Sequence, residues 1–286
     1  MTESREGALY VVATPIGNLE DLSQRAVKVL SQADLIAAED TRHSARLLDH
    51  LGVRVPLLSL HEHNEAGRVE RLRSAVAAGQ RIALISDAGT PLISDPGYRV
   101  VHALREAGLT VVPIPGPCAL ITALSAAGLP TERFCFEGFL PAKEGARRQR
   151  LAALGEREAT QIFYESPHRI HALLKDLAAV MGERRVVLAR ELTKTFETFL
   201  DGTPEALLAR LEADPNQARG EFVVMLAGAR PREAALDGAS VDPDVLLEAL
   251  LAEGVGVKQA ANIATRLLGG RKKQWYQRLL DRHENS

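Results

Sequence analysis

The chain has 286 residues, of which 46% are apolar and 25% charged, with 35 Lys and Arg set against 37 Asp and Glu for a net charge of -2. That length exceeds one hydrophobic core and predicts more than one domain, and the composition excludes wholesale disorder, a collagen-like repeat and a disulfide scaffold. Near-neutrality excludes a molecule that holds nucleic acid with its whole surface, so any RNA contact must use a local patch. Cys118 and Cys135 offer no paired spacing for zinc. With the polar opening residues and the lack of an apolar run of about eighteen, they predict a cytoplasmic protein without a membrane span or structural metal.

Residues 8 to 16 form an apolar, β-branched run ended by Pro15 and Gly17, as a buried strand would be. A helix follows over 23 to 33, then a strand at 34 to 38, a helix at 43 to 51 and a strand at 53 to 60. A helix over 65 to 78 capped by Asn64 and a strand at 81 to 86 complete this series. Strand and helix alternate over roughly the first 115 residues, which predicts a mostly parallel sheet covered on both faces. From Phe134 the texture changes. Strands at 134 to 139, 161 to 165, 186 to 200 (one long strand or a hairpin) and 221 to 227 alternate with helices at 143 to 154, 168 to 180 and 204 to 213.

Residues 230 to 242, rich in Pro, Ala, Gly and Asp, read as a linker. Beyond it come short helices at 245 to 251, 258 to 268 and 272 to 280, the last two separated by Gly269-Gly270. From Lys258 onward seven cations face Asp281 and Glu284. This outline is helix-turn-helix-like, and Lys258, Arg271, Lys272, Lys273 and Arg278 with nearby Trp275 and Tyr276 suit an RNA contact. An ordinary helical hairpin packing Trp275 into its own core fits as well.

No G-x-G-x-x-G turn follows the first strand, and no phosphate-binding G-x-x-x-x-G-K-[ST] exists, so nicotinamide and nucleotide triphosphate cofactors lose ground. The densest feature is Ser86-Asp-Ala-Gly-Thr-Pro-Leu-Ile-Ser-Asp-Pro-Gly97, after one strand and before a helix that Asp95 and Pro96 could cap. Small residues there let backbone approach a ligand. Pro113 to Ala119 forms a second Gly/Pro cluster at a strand end, and Tyr164 to Arg169 joins a strand to a helix that Ser166 and Pro167 would start. His61-Glu62-His63 has alternate spacing but no further ligands nearby, so no metal site is expected. The cations over 143 to 157, with a stripe at Arg147 and Arg150, read as a solvated helix face first and a phosphate-contacting face second.

Five stretches, Val12 to Asp21, Ala38 to His43, Ser86 to Gly97, Phe163 to Arg169 and Ala189 to Lys194, together resemble the tetrapyrrole-methylase superfamily of S-adenosylmethionine enzymes. Within it they are most similar to the bacterial 16S ribosomal RNA cytidine 2′-O-methyltransferases. The resemblance covers residues 8 to 229 and extends into the basic tail. It implies a two-domain α/β fold (class III methyltransferase) with a small C-terminal helical domain, S-adenosylmethionine in the cleft, and a homodimer. Its substrate would be a cytidine of the decoding region, presented in 16S rRNA on the small ribosomal subunit. The expected domains are 1 to 118, 119 to 230, a linker at 231 to 242, and 243 to 286. Carried over by position, the cofactor contacts fall on Pro15, on Asp87, Ala88, Gly89, Thr90 and Ile93, on Cys118 and Ala119, and on Glu165 and Leu192. Cys118 stands where tetrapyrrole methylases often carry a hydroxyl.

A ribose hydroxyl is a poor nucleophile at neutral pH and needs a base or an alkoxide-stabilising cation. The catalytic candidates are Glu39, Asp40, Arg42 and His43 after the second strand, and Lys194 and Glu197 in the second domain. Structural roles compete: Asp40 as a helix cap, and Lys194 and Glu197 as solvated charges on an exposed strand. A small-molecule tetrapyrrole methylase would share the cleft without needing the basic tail, and a non-catalytic RNA-binding assembly factor would use the tail alone.

Overall fold

The computed structural model describes residues 6–61, 63–229 and 242–283. The first sheet contains β1 (Ala8–Val12), β2 (Leu35–Ala38), β3 (Leu57–Ser59), β4 (Arg81–Ile85) and β5 (Thr110–Ile114), ordered β3-β2-β4-β1-β5 with every pair parallel. Crossovers run through α1 (Gln24–Ser31), α2 (Thr41–His50), α3 (Glu65–Ala77) and α4 (Tyr98–Glu106). Two separate cores cover its faces, one around Val12, Leu30, Ile36 and Ile85, the other around Leu9, Leu72, Leu84 and Leu104. Burial on both faces explains why β1 and β4 read as continuous apolar runs rather than alternating ones.

The second sheet holds β6 (Phe134–Phe139), β7 (Thr160–Glu165), β8 (Val186–Arg190), β9 (Thr198–Gly202) and β10 (Phe222–Leu226) in the order β6-β7-β10-β8-β9. Only β6 and β7 are parallel. β10 runs antiparallel between β7 and β8, and β8 and β9 form a hairpin, so of the two readings of residues 186 to 200 the hairpin is the one observed. α6 (Glu144–Leu154), α7 (Ile170–Met181) and α8 (Pro204–Ala213) cover one face. α5 (Ala119–Ala126) covers the other, where Ile16 and Ile93 from loops of the first sheet join the same core. The two sheets form one compact unit ending at Ala229, and residues 230 onward form another.

In that second unit α9 (Pro243–Ala252), α10 (Val257–Leu268) and α11 (Lys272–His283) gather around Leu247, Ala260, Ala261, Ala264 and Leu279, with Trp275 against them. Trp275 Nε1 donates to the Gly269 carbonyl at 2.7 Å, so the indole packs within its own hairpin. The linker expected over 230 to 242 lies outside the described residues except for Asp242, which caps α9 by accepting from the Asp244 amide. Glu62 of the His-Glu-His stretch also lies outside them. Among the described residues no helix is long and apolar enough to cross a membrane.

Several local expectations are corrected. The strand expected over 53 to 60 shrinks to Leu57–Ser59, because pairing with β2 spans only those residues. Asn64 makes no side-chain cap for α3; its Oδ1 accepts from the His61 amide and its Nδ2 donates to the Ser59 carbonyl. α7 starts at Ile170, and Ser166 to Arg169 form a turn before it, so Ser166 and Pro167 do not start the helix. Arg147 is not solvated. It is 4% exposed and pairs with the equally buried Asp176 of α7 at 2.6 Å, and Arg148 meets the other oxygen of Asp176 at 2.6 Å.

Candidate active site

The loop from Ser86 to Gly97 leaves β4 at its carboxyl end, where ligands of open α/β sheets bind. It is anchored at three points. Thr14 and Gly89 exchange backbone hydrogen bonds of 2.9 and 3.0 Å, which ties the loop to the end of β1. Thr90 Oγ1 donates to the Pro117 carbonyl at 2.9 Å, which staples it to the loop before α5. At its far end Glu65 Oε1, from the first turn of α3, accepts from the backbone amides of Gly97, Arg99 and Val100 at 3.2, 2.7 and 3.4 Å. Glu65 thus caps α4 from another helix, and the cap position belongs to Gly97, not to Asp95 and Pro96. With that support, Leu92 and Ser94 are held at φ 74 and 67, conformations that non-glycine residues seldom adopt.

This loop, the start of α5, the end of β7 and the inner faces of β8 and β10 surround a cavity of about 400 Å³. Eight of the expected cofactor residues line it: Ala88, Gly89, Thr90 and Ile93 on one wall, Cys118 and Ala119 on the next, Glu165 and Leu192 opposite. Pro15 and Asp87 do not. They line an adjoining cavity of about 360 Å³ between the same strand ends and α2. A side chain at Gly89, φ 81, would be strained and would bring its Cβ within 3.3 Å of Ile16 Cγ2. Sequence reasoning did not assign Tyr164, Phe139, Asp95 or Glu221 to the site, all of which line the first cavity. Asp95 and Tyr164 stand in stretches already singled out, and Phe139 and Glu221 at the ends of expected strands, but only the packing of the second sheet against the Ser86–Gly97 loop brings them together.

The electrostatics sort the catalytic candidates. Asp40 caps α2 and is paired with Arg42 Nη2 at 3.1 Å; those hydrogen bonds hold its carboxyl down at about 2. It is therefore a weak base. Lys194 lies in the loop between β8 and β9, where its Nζ donates to Glu191 at 3.0 Å and Glu221 at 2.8 Å. It is an ion-paired group, not a solvated charge on a strand. Desolvation pulls its pKa down, but the two carboxylates outweigh that and raise it, so Lys194 stays a cation at neutral pH. Glu197 accepts the Thr193 amide at 2.6 Å and shapes the same loop. A Cβ on Gly17 would fall 2.5 Å from Lys194 Cγ, so the loop after β1 touches this one closely. His43 lines the second cavity and does not reach the first.

Burial raises the carboxyl of Asp95 to about 6; a hydrogen bond from Ser86 opposes the rise, and the charges of Glu39 and Asp87 add to it. Glu39 is raised for the same reasons, burial first and Asp87 second. Glu165 is raised by burial against the pull of the Ser166 amide and Arg169. Its Oε1 accepts the Ser166 amide at 2.8 Å, while its buried Oε2 has no hydrogen-bond partner among the described residues. Such an orphaned acceptor, beside glycine backbone and a largely apolar wall, fits a cofactor that brings an ammonium or ribose hydroxyl and a flat aromatic base.

Residues 8–208 match the family described as Tetrapyrrole (Corrin/Porphyrin) Methylases, and residues 237–283 match the RsmI C-terminal HTH domain. The chain is 51% identical over 280 residues to the ribosomal RNA small subunit methyltransferase I of Escherichia coli O157:H7, covering 98% of this chain and 96% of that one. It is 52% identical to the protein of the same name from Pseudomonas aeruginosa, covering 98% and 99%. Among solved structures, uroporphyrin-III-C-methyltransferase from Thermus thermophilus superposes with a TM-score of 0.55 at 23% identity, over 77% of this chain and 94% of that one. The methyltransferase CobJ gives 0.57 at 20%, over 78% and 95%. At those identities the likeness is one of fold. The agreement of both matched segments and of relatives along the whole length places the chain in the tetrapyrrole methylase family, in the ribosomal RNA small subunit methyltransferase I group.

Proposed function

We propose that this protein transfers a methyl group from S-adenosylmethionine to the 2′-hydroxyl of a cytidine ribose in the decoding region of 16S rRNA, with the small ribosomal subunit as substrate. The observation that carries the reading is the cavity in which two small-residue loops, the end of β7 and one orphaned carboxylate oxygen of Glu165 meet. Family membership supplies the reaction class, and the names of the relatives supply the rRNA. Bound S-adenosylmethionine supplies an electrophilic methyl on a sulfonium leaving group. Ala88 and Gly89 give it close backbone approach, Glu165 Oε2 accepts one of its donors, and Ile93 and Leu192 exclude water from its apolar portion.

The acceptor oxygen must lose a proton as it attacks. Asp95 suits that task better than Asp40 because a carboxyl near 6 is ionised at neutral pH and is a stronger proton acceptor than one held at about 2. Lys194, kept cationic by Glu191 and Glu221, reaches the cavity only through Glu221, which lines it, and does not act as a base. In the C-terminal unit Lys258, Arg271, Lys272 and Lys273 are exposed and available to RNA phosphates, whereas Arg278 is held by Asp244 at 2.8 Å and lies over the Trp275 ring. The protein is read as acting in the cytoplasm as a homodimer.

The test is incubation of the full chain with labelled S-adenosylmethionine and undermethylated small subunits, followed by digestion to nucleosides and mass spectrometry. The expected product is 2′-O-methylcytidine. A ring-methylated base, or label only in a tetrapyrrole offered in parallel, overturns the reading.

A further inference from the structure

The cavity of about 360 Å³ beside α2 takes Pro15 and Asp87 from the expected cofactor contacts and none of the eight that meet in the first cavity. Its inner wall is the pair of strand ends that also bound the first cavity. Pro15 and Asp87 line this one, and their chain neighbours Ile16 and Ala88 line the other. Methyl transfer requires the reacting atoms to lie within a few ångströms. A space separated from the cofactor cavity by the width of two loops is therefore on the acceptor's side.

α2 presents His43, Arg46 and His50 to this space at spacings of three and four residues, which sets them along one helix face. All three are exposed, and none of their side chains has a hydrogen-bond or ion-pair partner among the described residues. Their neighbour Arg42 is tied to Asp40. Behind them Ser44 lines the cavity at 2% exposure, and its Oγ has no partner among the described residues. A buried hydroxyl left unpaired beside a row of unpaired cationic and imidazole groups marks a place for a ligand that carries both an anion and hydrogen-bonding groups. Leu19 and Leu47 add apolar surface suited to a base or sugar face. Asp87 is an acid on this wall, but its Oδ1 already accepts the Asp40 amide at 3.1 Å.

We propose that this second cavity is a nucleotide subsite for the RNA strand. A phosphodiester lies against Arg46, His43 and His50, and the attached nucleoside reaches inward past Ser44 to the loops shared with the cofactor cavity. The proposal rests on the RNA reading above and gives it an entry point in the α/β unit itself, separate from the basic C-terminal helices.

The experiment has two arms on the full chain. In the first, the ribodinucleotide CpC is titrated while the imidazole resonances of His43 and His50 are followed by NMR. Both are expected to shift, Arg46→Gln should weaken the binding about tenfold, and Arg46→Lys should recover most of it. In the second, methylation of small subunits is measured across salt concentrations. Arg46→Gln should raise KM about tenfold and lower the salt slope by about one, with S-adenosylmethionine affinity by calorimetry unaltered. Unshifted imidazoles with CpC, or an Arg46→Gln enzyme with wild-type KM and salt slope, would overturn the subsite. Equal affinity for cytidine 5′-monophosphate and CpC with an unchanged salt slope would assign the cavity to free nucleotides and also overturn it. CpC-dependent shifts in a protein that methylates no small subunits would uphold the subsite and remove the rRNA reading instead.

Discussion

Asp95 is a carboxylate kept where water is scarce and two other acids are near. Its folded pKa of about 6 lies above the ordinary unfolded value of about 3.9, so the folded chain binds more protons between those limits. The stability linked to this group is fully present below about pH 4 and is lost as the pH rises through 6. Asp95→Asn should therefore stabilise the protein at pH 8 by about 1 kcal/mol, allowing for partial solvent screening, while slowing methyl transfer about 10²-fold. Urea denaturation at pH 4 and pH 8 checks the first effect and single-turnover rates the second; a stability difference that does not change with pH would mean Asp95 titrates normally. The small-residue loop that holds Gly89 and Thr90 was legible locally, whereas Glu165, the last residue of β7, came to attention only through the family resemblance. The raised pKa of Asp95 was not legible, because its burial and its neighbour Glu39 come from chain segments that only the fold brings together.

Glu65 and Asp176 belong to helices and act on other helices. The carboxylate of Glu65 satisfies three amides at the start of α4 and so fixes the exit of the Ser86–Gly97 loop. Glu65→Ala should cost about 1–3 kcal/mol of stability and weaken S-adenosylmethionine binding in calorimetry, with Glu65→Gln restoring part of both, since an amide oxygen still accepts. Asp176 neutralises Arg147 inside the α6–α7 contact. Asp176→Ala leaves that guanidinium buried without a counter-charge, and thermal or urea unfolding should register a loss of about 3–5 kcal/mol. What these two acids hold was misread, Arg147 as solvated and the start of α4 as capped by Asp95 and Pro96, for one physical reason: local pattern places a charge or a cap on a helix, but whether it meets water or an acid on a helix about thirty residues away is decided by packing. Helix and strand order was legible apart from residues 186 to 200, left open between one strand and a hairpin, and so was the apolar character of β4 and β10, because two-sided burial leaves apolar runs in the sequence.

The division at residue 230 separates the cavities from the basic helices. A chain ending at Ala229 should keep its S-adenosylmethionine affinity, lose affinity for small subunits, and bind them with a flatter salt dependence; filter binding at several salt concentrations measures this. Full methylation by the shortened chain would remove the C-terminal unit from RNA recognition. The first sheet carries a further consequence, for the way the protein is made. β1 is made before the other strands of its sheet, yet it lies inside the sheet with neighbours β4 and β5, about seventy and one hundred residues further along. At ~5–20 residues per second its apolar run waits roughly 4–14 s for β4 and longer for β5. The sheet cannot close until Ile114 at the end of β5 has been made, so the strand that anchors both cavities is also the apolar segment that waits longest for its partners.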